Sequence, residues 1–346
     1  MKLHTDIAMV ALAVLAFAGT ASTANAQDGP FAPGPIHPMV APLSPTDPMA
    51  QLDPRLLNVP PMMPEADNNP VVNNKIIEHD AMTGMTNLST GSSGLLQDGT
   101  VSPGSGGSIN IFGNEPNGNS GGSTHGIQTI FGADQRQLIA NAVAYPWRAN
   151  CKIYMKFPDN STWQASCTLI AGKYAITAGH CVYSKSNGGW AKQIQVIPAL
   201  SGTYKPYGAA WATYMRTYTG WTVSGNNQYD MAVITLDRSI GATTGWFGYG
   251  YWSNLNGVTG NLSAYDADVN STYQKYRFGL LTQGALTIYY TMDTMPGSSG
   301  GGVYRIIGTN RYVVGDNNWQ YSTTNMGVKI TSSRFTDIHN WIATGF

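Results

Sequence analysis

Residues 151–200 read CKIYMKFPDNSTWQASCTLIAGKYAITAGHCVYSKSNGGWAKQIQVIPAL. Four short runs rich in β-branched and aromatic residues, KIYMKF, SCTLI, YAITAG and QIQVIPAL, are separated by Gly, Asn, Asp and Pro, the residues that turn a chain. Strands of this length with no helical pattern between them predict an all-β barrel or sandwich. The same texture continues outward through DMAVITL (230–236), ALTIYY (285–290), VYRII (303–307), RYVVGD (311–316) and GVKIT (327–331). VYRII-GTN-RYVV reads as a hairpin in which Gly308 supplies a positive φ. Only the C-terminus differs. Phe335, Ile338, Trp341 and Ile342 fall on one face of a helix that Ser332 or Ser333 would cap.

Upstream, the sequence is of two other kinds. Lys2, the apolar run 7–18 and the small residues Ala24-Asn25-Ala26 predict an export signal, 1–26, cut after Ala26. The run is too short and too poorly flanked to span a membrane. Residues 27–128 crowd Pro at their start and Gly, Ser and Asn at their end, a composition that cannot repay its ordering entropy. They predict a largely disordered propeptide with one short ordered patch near 71–77, an ordinary acidic linker being the alternative. Two cationic residues against nine acids give this segment a charge of −7, while 129–346 carries sixteen Lys and Arg against nine Asp, or +7. The net charge of zero therefore hides two opposite halves, and a propeptide so charged would dock electrostatically on the domain that follows.

Composition excludes several functions. Only 11% of the 346 residues are charged and 40 are Gly, which argues against a coiled coil or a polybasic nucleic-acid binder. Three cysteines without paired C-x-x-C spacing offer no zinc site, and no acidic cluster argues for calcium.

Histidine is the usual base for activating a hydroxyl near neutral pH, and only His180 and His339 lie beyond residue 128. His180 ends the apolar strand AITAGHC, whereas His339 sits on the terminal helix, where exposure is expected. A nucleophilic serine needs backbone donors for the developing oxyanion, which the glycine-rich PGSSGGG (296–302) can provide. The string is weak alone, since GSSG recurs at 91–94, but Val303 returns at once to a strand. Asp230, heading an otherwise uncharged strand, suits the carboxylate that orients such a histidine.

TAGHC, YDMAVITL and GSSGGG, in the order His, Asp, Ser, resemble the motifs of the chymotrypsin-like serine peptidases, whose triad is a standard worked case. TIFGADQRQLIANAVAYPWRA and DTMPGSSGG are similar to the bacterial glutamyl-endopeptidase (V8-like) branch. The resemblance covers 129–346 and implies two Greek-key β-barrels with a C-terminal α-helix. It further implies His180 as general base, Asp230 as its partner, Ser299 as nucleophile, and the N–H groups of Gly297 and Ser299 as the oxyanion hole. The family commonly bridges the positions of Cys167 and Cys181, which leaves Cys151 over, although three cysteines allow three pairings.

For substrate selection, Asp293 stands where trypsin-like enzymes hold a basic P1 side chain, and Thr294 matches a hydroxyl that the glutamyl branch turns toward a P1 carboxylate. That branch's histidine is replaced by Asn317. Residues 129–346 contain no Glu, as suits an enzyme that cuts after Glu and must survive itself, or as general compositional drift would produce. The expectation is a secreted, monomeric serine endopeptidase acting on proteins or peptides, with its own propeptide as partner. It needs no cofactor, metal, nucleic acid or, once the signal is gone, membrane. Ile127, Thr129 and Ile130 are candidates for the mature N-terminus. Two rivals remain. Gly297–Gly301 also fits the G-x-S-x-G elbow of α/β-hydrolases, with Ser299, Asp316 and His339 in that family's order, but no helix pattern follows the serine. A non-catalytic binding protein on the same fold would be expected to lack a triad member.

Overall fold

The computed structural model describes residues 41–63, 65–71, 73–89, 130–268 and 270–345; the expected signal 1–26 and the stretch 90–128 lie outside them. Two strands precede residue 90, β1 (Ile76–Asp80) and β2 (Thr86–Ser89). Then follow β3 (Gln137–Leu138), β4 (Asn150–Lys156), β5 (Thr162–Ala171), β6 (Tyr174–Thr177), the ribbon β7 (Tyr183–Ser184) and β8 (Gly189–Trp190), β9 (Gln193–Pro198), β10 (Ala210–Tyr218) and β11 (Ala232–Leu236). Hydrogen bonding runs β11-β6-β5-β4-β9-β10 and returns from β10 to β11, which closes a barrel. Its interior follows the two-residue period of a strand: Cys151, Ile153 and Met155 of β4 interleave with Ala165, Cys167 and Leu169 of β5, all fully buried. Asn160, at φ 68°, makes the turn between them, a conformation that Asn tolerates better than bulkier residues.

The second half contains β12 (Gly248–Tyr249), β13 (Thr259–Ala264), β14 (Lys275–Leu280), β15 (Thr282–Gln283), β16 (Thr287–Tyr290), β17 (Gly302–Ile307), β18 (Asn310–Gln320) and β19 (Asn325–Lys329). They form a curled sheet in the order β15-β16-β19-β18-β17-β13-β14-β3, a half barrel around Leu262, Ile288, Val303 and Val314. The hairpin expected at Gly308 joins β17 to β18, with that residue at φ 61°. The terminal helix runs Ser332–Thr344 and buries Ile338 and Trp341 against Tyr218, Tyr249 and Val328. Its cap is Thr331, one residue earlier than the two candidates, because the Thr331 hydroxyl accepts the Arg334 N–H.

Residues 41–89 are more ordered than their composition predicted. β1 adds antiparallel to the outer half of β10, pairing Ile76 with Tyr218 and Asp80 with Tyr214, and β2 folds back on it. Glu78 meets buried Arg216 at 3.2 Å, and His79 stacks on Trp190. Upstream, Leu52 and Val59 fill a groove against Tyr154, Ile197 and Tyr265. This segment has no core of its own. Its buried apolar residues, Ala50, Leu52, Val59, Met62, Ala66 and Ile76, are spaced singly and find their burial on the body, so a composition that cannot fold alone is nonetheless ordered there.

Candidate active site

Gly179 and His180 begin a single helical turn, Gly179–Val182, directly after β6. A Cβ on Gly179 would lie 2.9 Å from Trp221 and 3.0 Å from the Asp230 carboxylate, so only glycine lets the histidine backbone come this close. Asp230 grips His180 twice: Oδ1 accepts the backbone N–H at 2.7 Å and Oδ2 meets Nδ1 at 2.8 Å. Both residues are buried. Burial by itself would lower the imidazole's pKa, but the Asp230 carboxylate outweighs it and holds the value raised. With Nδ1 bonded to Asp230, the other ring nitrogen, Nε2, has no hydrogen-bond partner among the described residues.

The Asp230 carbonyl accepts the Asn318 side-chain amide, which also donates to Asp316 at 3.0 Å. Burial, and then the charge of Asp230, push the Asp316 carboxyl well above the usual carboxylate range. Asp316 thus lies behind the His180–Asp230 pair, while His339 is exposed on the terminal helix and stacks on Phe335. The hydrolase elbow finds no support, because a strand, Gly302–Ile307, follows Ser299.

Ser299 lies on a loop pressed against the end of β6, just before His180. A Cβ on Gly300 would fall within van der Waals overlap of Thr177, Ser166 and Ala178, the last only two residues before His180. Ser166 N–H donates to the Ser299 carbonyl at 2.9 Å, and the Ser166 hydroxyl donates to the Gly297 carbonyl at 2.9 Å. The Pro296 carbonyl accepts from Ala267 N–H and the Ser298 carbonyl from Gly301 N–H. Each peptide is planar and trans, so the Gly297 and Ser299 N–H groups point to the opposite side, and neither is spent on a protein acceptor among the described residues. Ser166 and Asn318 carried no signal in the sequence, because their partners Gly297 and Asp230 are remote along the chain, and Asp316 was singled out only for the hydrolase reading.

The specificity candidates separate. Asp293 is fully buried, and its two oxygens accept the backbone N–H groups of Phe131 at 2.8 Å and Gln135 at 2.7 Å. Its carboxylate is therefore committed to the segment before β3, which removes the basis for a basic P1 preference set by this residue. Thr294 is also buried, with its hydroxyl unpartnered among the described residues. Asn317 accepts from the Tyr290 hydroxyl at 2.7 Å and donates to the Ser298 hydroxyl at 3.1 Å.

The disulfide expectation is corrected. Cys151, Cys167 and Cys181 are all unbridged. The pleat places Cys167 opposite Cys151 in the β4–β5 register, close enough for a thiol–thiol hydrogen bond, whereas the Cys181 thiol lies beside His180.

Part of the upstream segment crosses this site. Gln164 of β5 pairs through its backbone with Pro60 and Met62, and residues 68 and 69 bond to Gly225 and Ser224. Between these points Ala66 packs among Trp221, Trp319 and Met326, and Asp67 faces Lys185 at 3.4 Å. A cleft of about 230 Å³ remains beside His180, lined by Met62, Glu65, Asp67, Lys185 and Trp221.

A closed barrel facing a half barrel, with a buried His–Asp pair just after β6 and a glycine-rich serine loop packed against Thr177 and Ala178 at the end of that strand, is the architecture of a chymotrypsin-like serine peptidase. The chain belongs to the trypsin family, whose family model matches residues 139–342. It is 34% identical over 227 residues to the glutamyl endopeptidase of Bacillus licheniformis, covering 63% of this chain and 70% of that protein. It is 30% identical over 218 residues to a Bacillus subtilis protein named extracellular metalloprotease, covering 62% of this chain and 69% of the other. A solved Glu endopeptidase is similar with a TM-score of 0.56 and 31% identity, covering 62% of this chain and 99% of its own. The chain is a serine endopeptidase of the V8-like group.

Proposed function

We propose that the protein is a secreted endopeptidase made as a precursor, in which Ser299 attacks the scissile carbonyl while His180 takes its proton through Nε2. Asp230 orients the imidazole and stabilises its charged form, and the Gly297 and Ser299 N–H groups receive the oxyanion. Water then releases the acyl-enzyme by the same route. The observation that carries this reading is the pair of hydrogen bonds that Asp230 accepts from His180, which leaves Nε2 unpartnered among the described residues.

In this reading residues 27–128 are the propeptide, 129–346 the catalytic domain, and the crossing at 59–69 keeps substrate out until the propeptide is released. Protein and peptide substrates with Glu or Asp at P1 are proposed. The buried, unpartnered hydroxyl of Thr294 supports this, as do the lack of Glu from 129 onward and the similarity to two proteins named as glutamyl endopeptidases. The test is digestion of a denatured proteome by the secreted protein beside its Ser299→Ala variant, scoring the residue before each cut. A Glu or Asp peak lost in the variant is expected. Equal cleavage by both would remove Ser299 as nucleophile, and a basic peak would remove the acidic preference.

A further inference from the structure

The upstream segment enters the site with a defined direction. The Pro60 carbonyl accepts the Gln164 N–H, and the Met62 N–H donates to the Gln164 carbonyl, both at 2.8 Å. The bridge between Pro61 and Gln164 is parallel, so the segment advances as β5 advances. Ser166, two residues further along β5, donates to the Ser299 carbonyl. The chain is therefore heading toward the Ser299 loop when it leaves β5. Its crossing ends on the opposite flank. There Ala66 is buried among Trp221, Trp319 and Met326, and the N–H groups of Asn68 and Asn69 donate to the Gly225 and Ser224 carbonyls at 3.0 Å.

A substrate runs the other way. The Ser299 loop sits between β5 and β18, since the Ser299 carbonyl accepts from Ser166 and the Gly300 N–H donates to the Asn317 carbonyl at 2.6 Å. Asn317, a candidate with Thr294 for the P1 pocket, belongs to β18, and Trp319 follows it on the same strand. The acyl half of a substrate therefore lies on the β18 flank and its leaving half on the β5 flank. From N- to C-terminus a substrate passes from Trp319 toward Gln164, whereas the upstream segment passes from Gln164 toward Trp319. Acyl transfer breaks the C–N bond whose carbon has been attacked by Ser299 and whose nitrogen takes the proton from His180. In a reversed chain the nitrogen of a peptide group held at Ser299 lies on the β18 flank, away from that proton. Glu65 lines the cleft beside His180 and Asp67 faces Lys185, so two residues of the class read as P1 stand in the site on a chain turned against cleavage.

We propose that the site accepts peptides in two polarities, substrates in one and an inhibitory strand in the other, and that residues 59–69 are the inhibitory strand, held uncut despite Glu65 and Asp67. This deepens the reading of 27–128 as a propeptide and rests on it, on Ser299 as nucleophile and on an acidic P1. The backbone bonds at Gln164 and at 224–225 fix the polarity, because the order of donors and acceptors along a peptide has a direction.

The test pairs the secreted mature protein with the 41–89 peptide and with a reference peptide that it cuts at a single Glu. At a concentration of 41–89 that abolishes reference cleavage, mass spectrometry should find the Glu65–Ala66 and Asp67–Asn68 bonds cut at least about a hundredfold more slowly than the reference, and faster cutting at either bond would overturn the proposal. Polarity is read separately on the Ser299→Ala variant by photocrosslinking. A benzoylphenylalanine at position 62 of the 41–89 peptide should label β5, and one at position 69 should label the stretch 219–226. In the reference peptide the order should invert, with a probe after the Glu labelling β5 and a probe before it labelling 219–226 or Trp319. The same order in both peptides would overturn the proposal even if 41–89 stays intact. Reference cleavage that survives in Ser299→Ala would remove the nucleophile assignment, and a reference cut only after other residues would remove the acidic P1. Those failures belong to the underlying reading, and the labelling order still decides the polarity.

Discussion

Replacing Ser166 by Ala isolates one support of the proposed oxyanion hole. The Ser166 hydroxyl is buried, donates to the Gly297 carbonyl at 2.9 Å and accepts the Tyr265 N–H at 2.9 Å. Removing it strands two buried backbone groups, each at a cost of about 1–3 kcal/mol, so stability should fall by ~2–6 kcal/mol. The Gly297–Ser298 peptide, which carries neither donor but joins the two peptides that do, also loses the contact that fixes it, so the neighbouring Gly297 and Ser299 N–H groups are loosened. Outright loss of an oxyanion donor costs about 10²- to 10³-fold in kcat, and a loosened donor should cost less, about 10- to 100-fold. Urea denaturation gives the first quantity, and steady-state kinetics on a peptide anilide the second. KM should move little, because the affected donor acts on the tetrahedral state. A variant that loses the stability yet keeps kcat within twofold would refute the reasoning, since it would show the Gly297 peptide to be held without Ser166.

Lys152 is fully buried, bonds to the Ser271 carbonyl, and has its pKa lowered by burial from 10.5 to about 7, with Asp266 opposing. The folded state therefore binds fewer protons than the unfolded chain between about pH 7 and 10.5, so this residue's contribution rises with pH through that window and is lost as pH falls toward 7. Lys152→Met should flatten that slope and stabilise the protein at pH 7 by a few kcal/mol at most, after about 1 kcal/mol for the lost hydrogen bond; parallel stability curves for the two proteins would refute it. Ala66→Arg should weaken inhibition by an added 41–89 peptide by about 100-fold, because no space for a charged side chain exists among Trp221, Trp319 and Met326, and an unchanged inhibition constant would show that the crossing does not block the site. Titration of denatured, unreduced protein with a thiol reagent should find all three cysteines reactive, and a count of one would establish a bridge.

The Ser299 loop, proposed to carry the nucleophile, and the His–Asp pair were legible in sequence because each lies in a short motif of restricted composition. TAGHC needs its glycine, and PGSSGGG needs the freedom that Gly297 uses at φ 96°. The barrel strands were legible for the same local reason, as short β-branched and aromatic runs bounded by turn residues. What sets the donors' geometry was not legible, because Ser166 acts across a pairing that no periodicity announces. Asp293 misled, since its position suggested an open pocket and only the fold shows its carboxylate turned to the amides of 131 and 135. The cysteines misled similarly. Cys167 stands across the strands from Cys151, a register that separation along the chain does not reveal. Residues such as Leu52, Val59, Met62 and Ala66 sit too far apart to form a pattern, so their burial on the body could not be foreseen.

The upstream segment holds the catalytic body at three separate places: the groove under Leu52, the crossing at 59–69, and the β1–β10 edge with its Glu78–Arg216 pair. While the chain is continuous these contacts benefit from a very high effective concentration, and severing the connection exchanges that for an ordinary bimolecular equilibrium. On the proposed reading of this segment as an inhibitory propeptide, scission and activity are then different events. Just after cutting, in a crowded volume, the fragment rebinds and the enzyme stays silent. As the products spread into a larger volume the fragment is diluted away, and the enzyme switches on at a distance from where it was made.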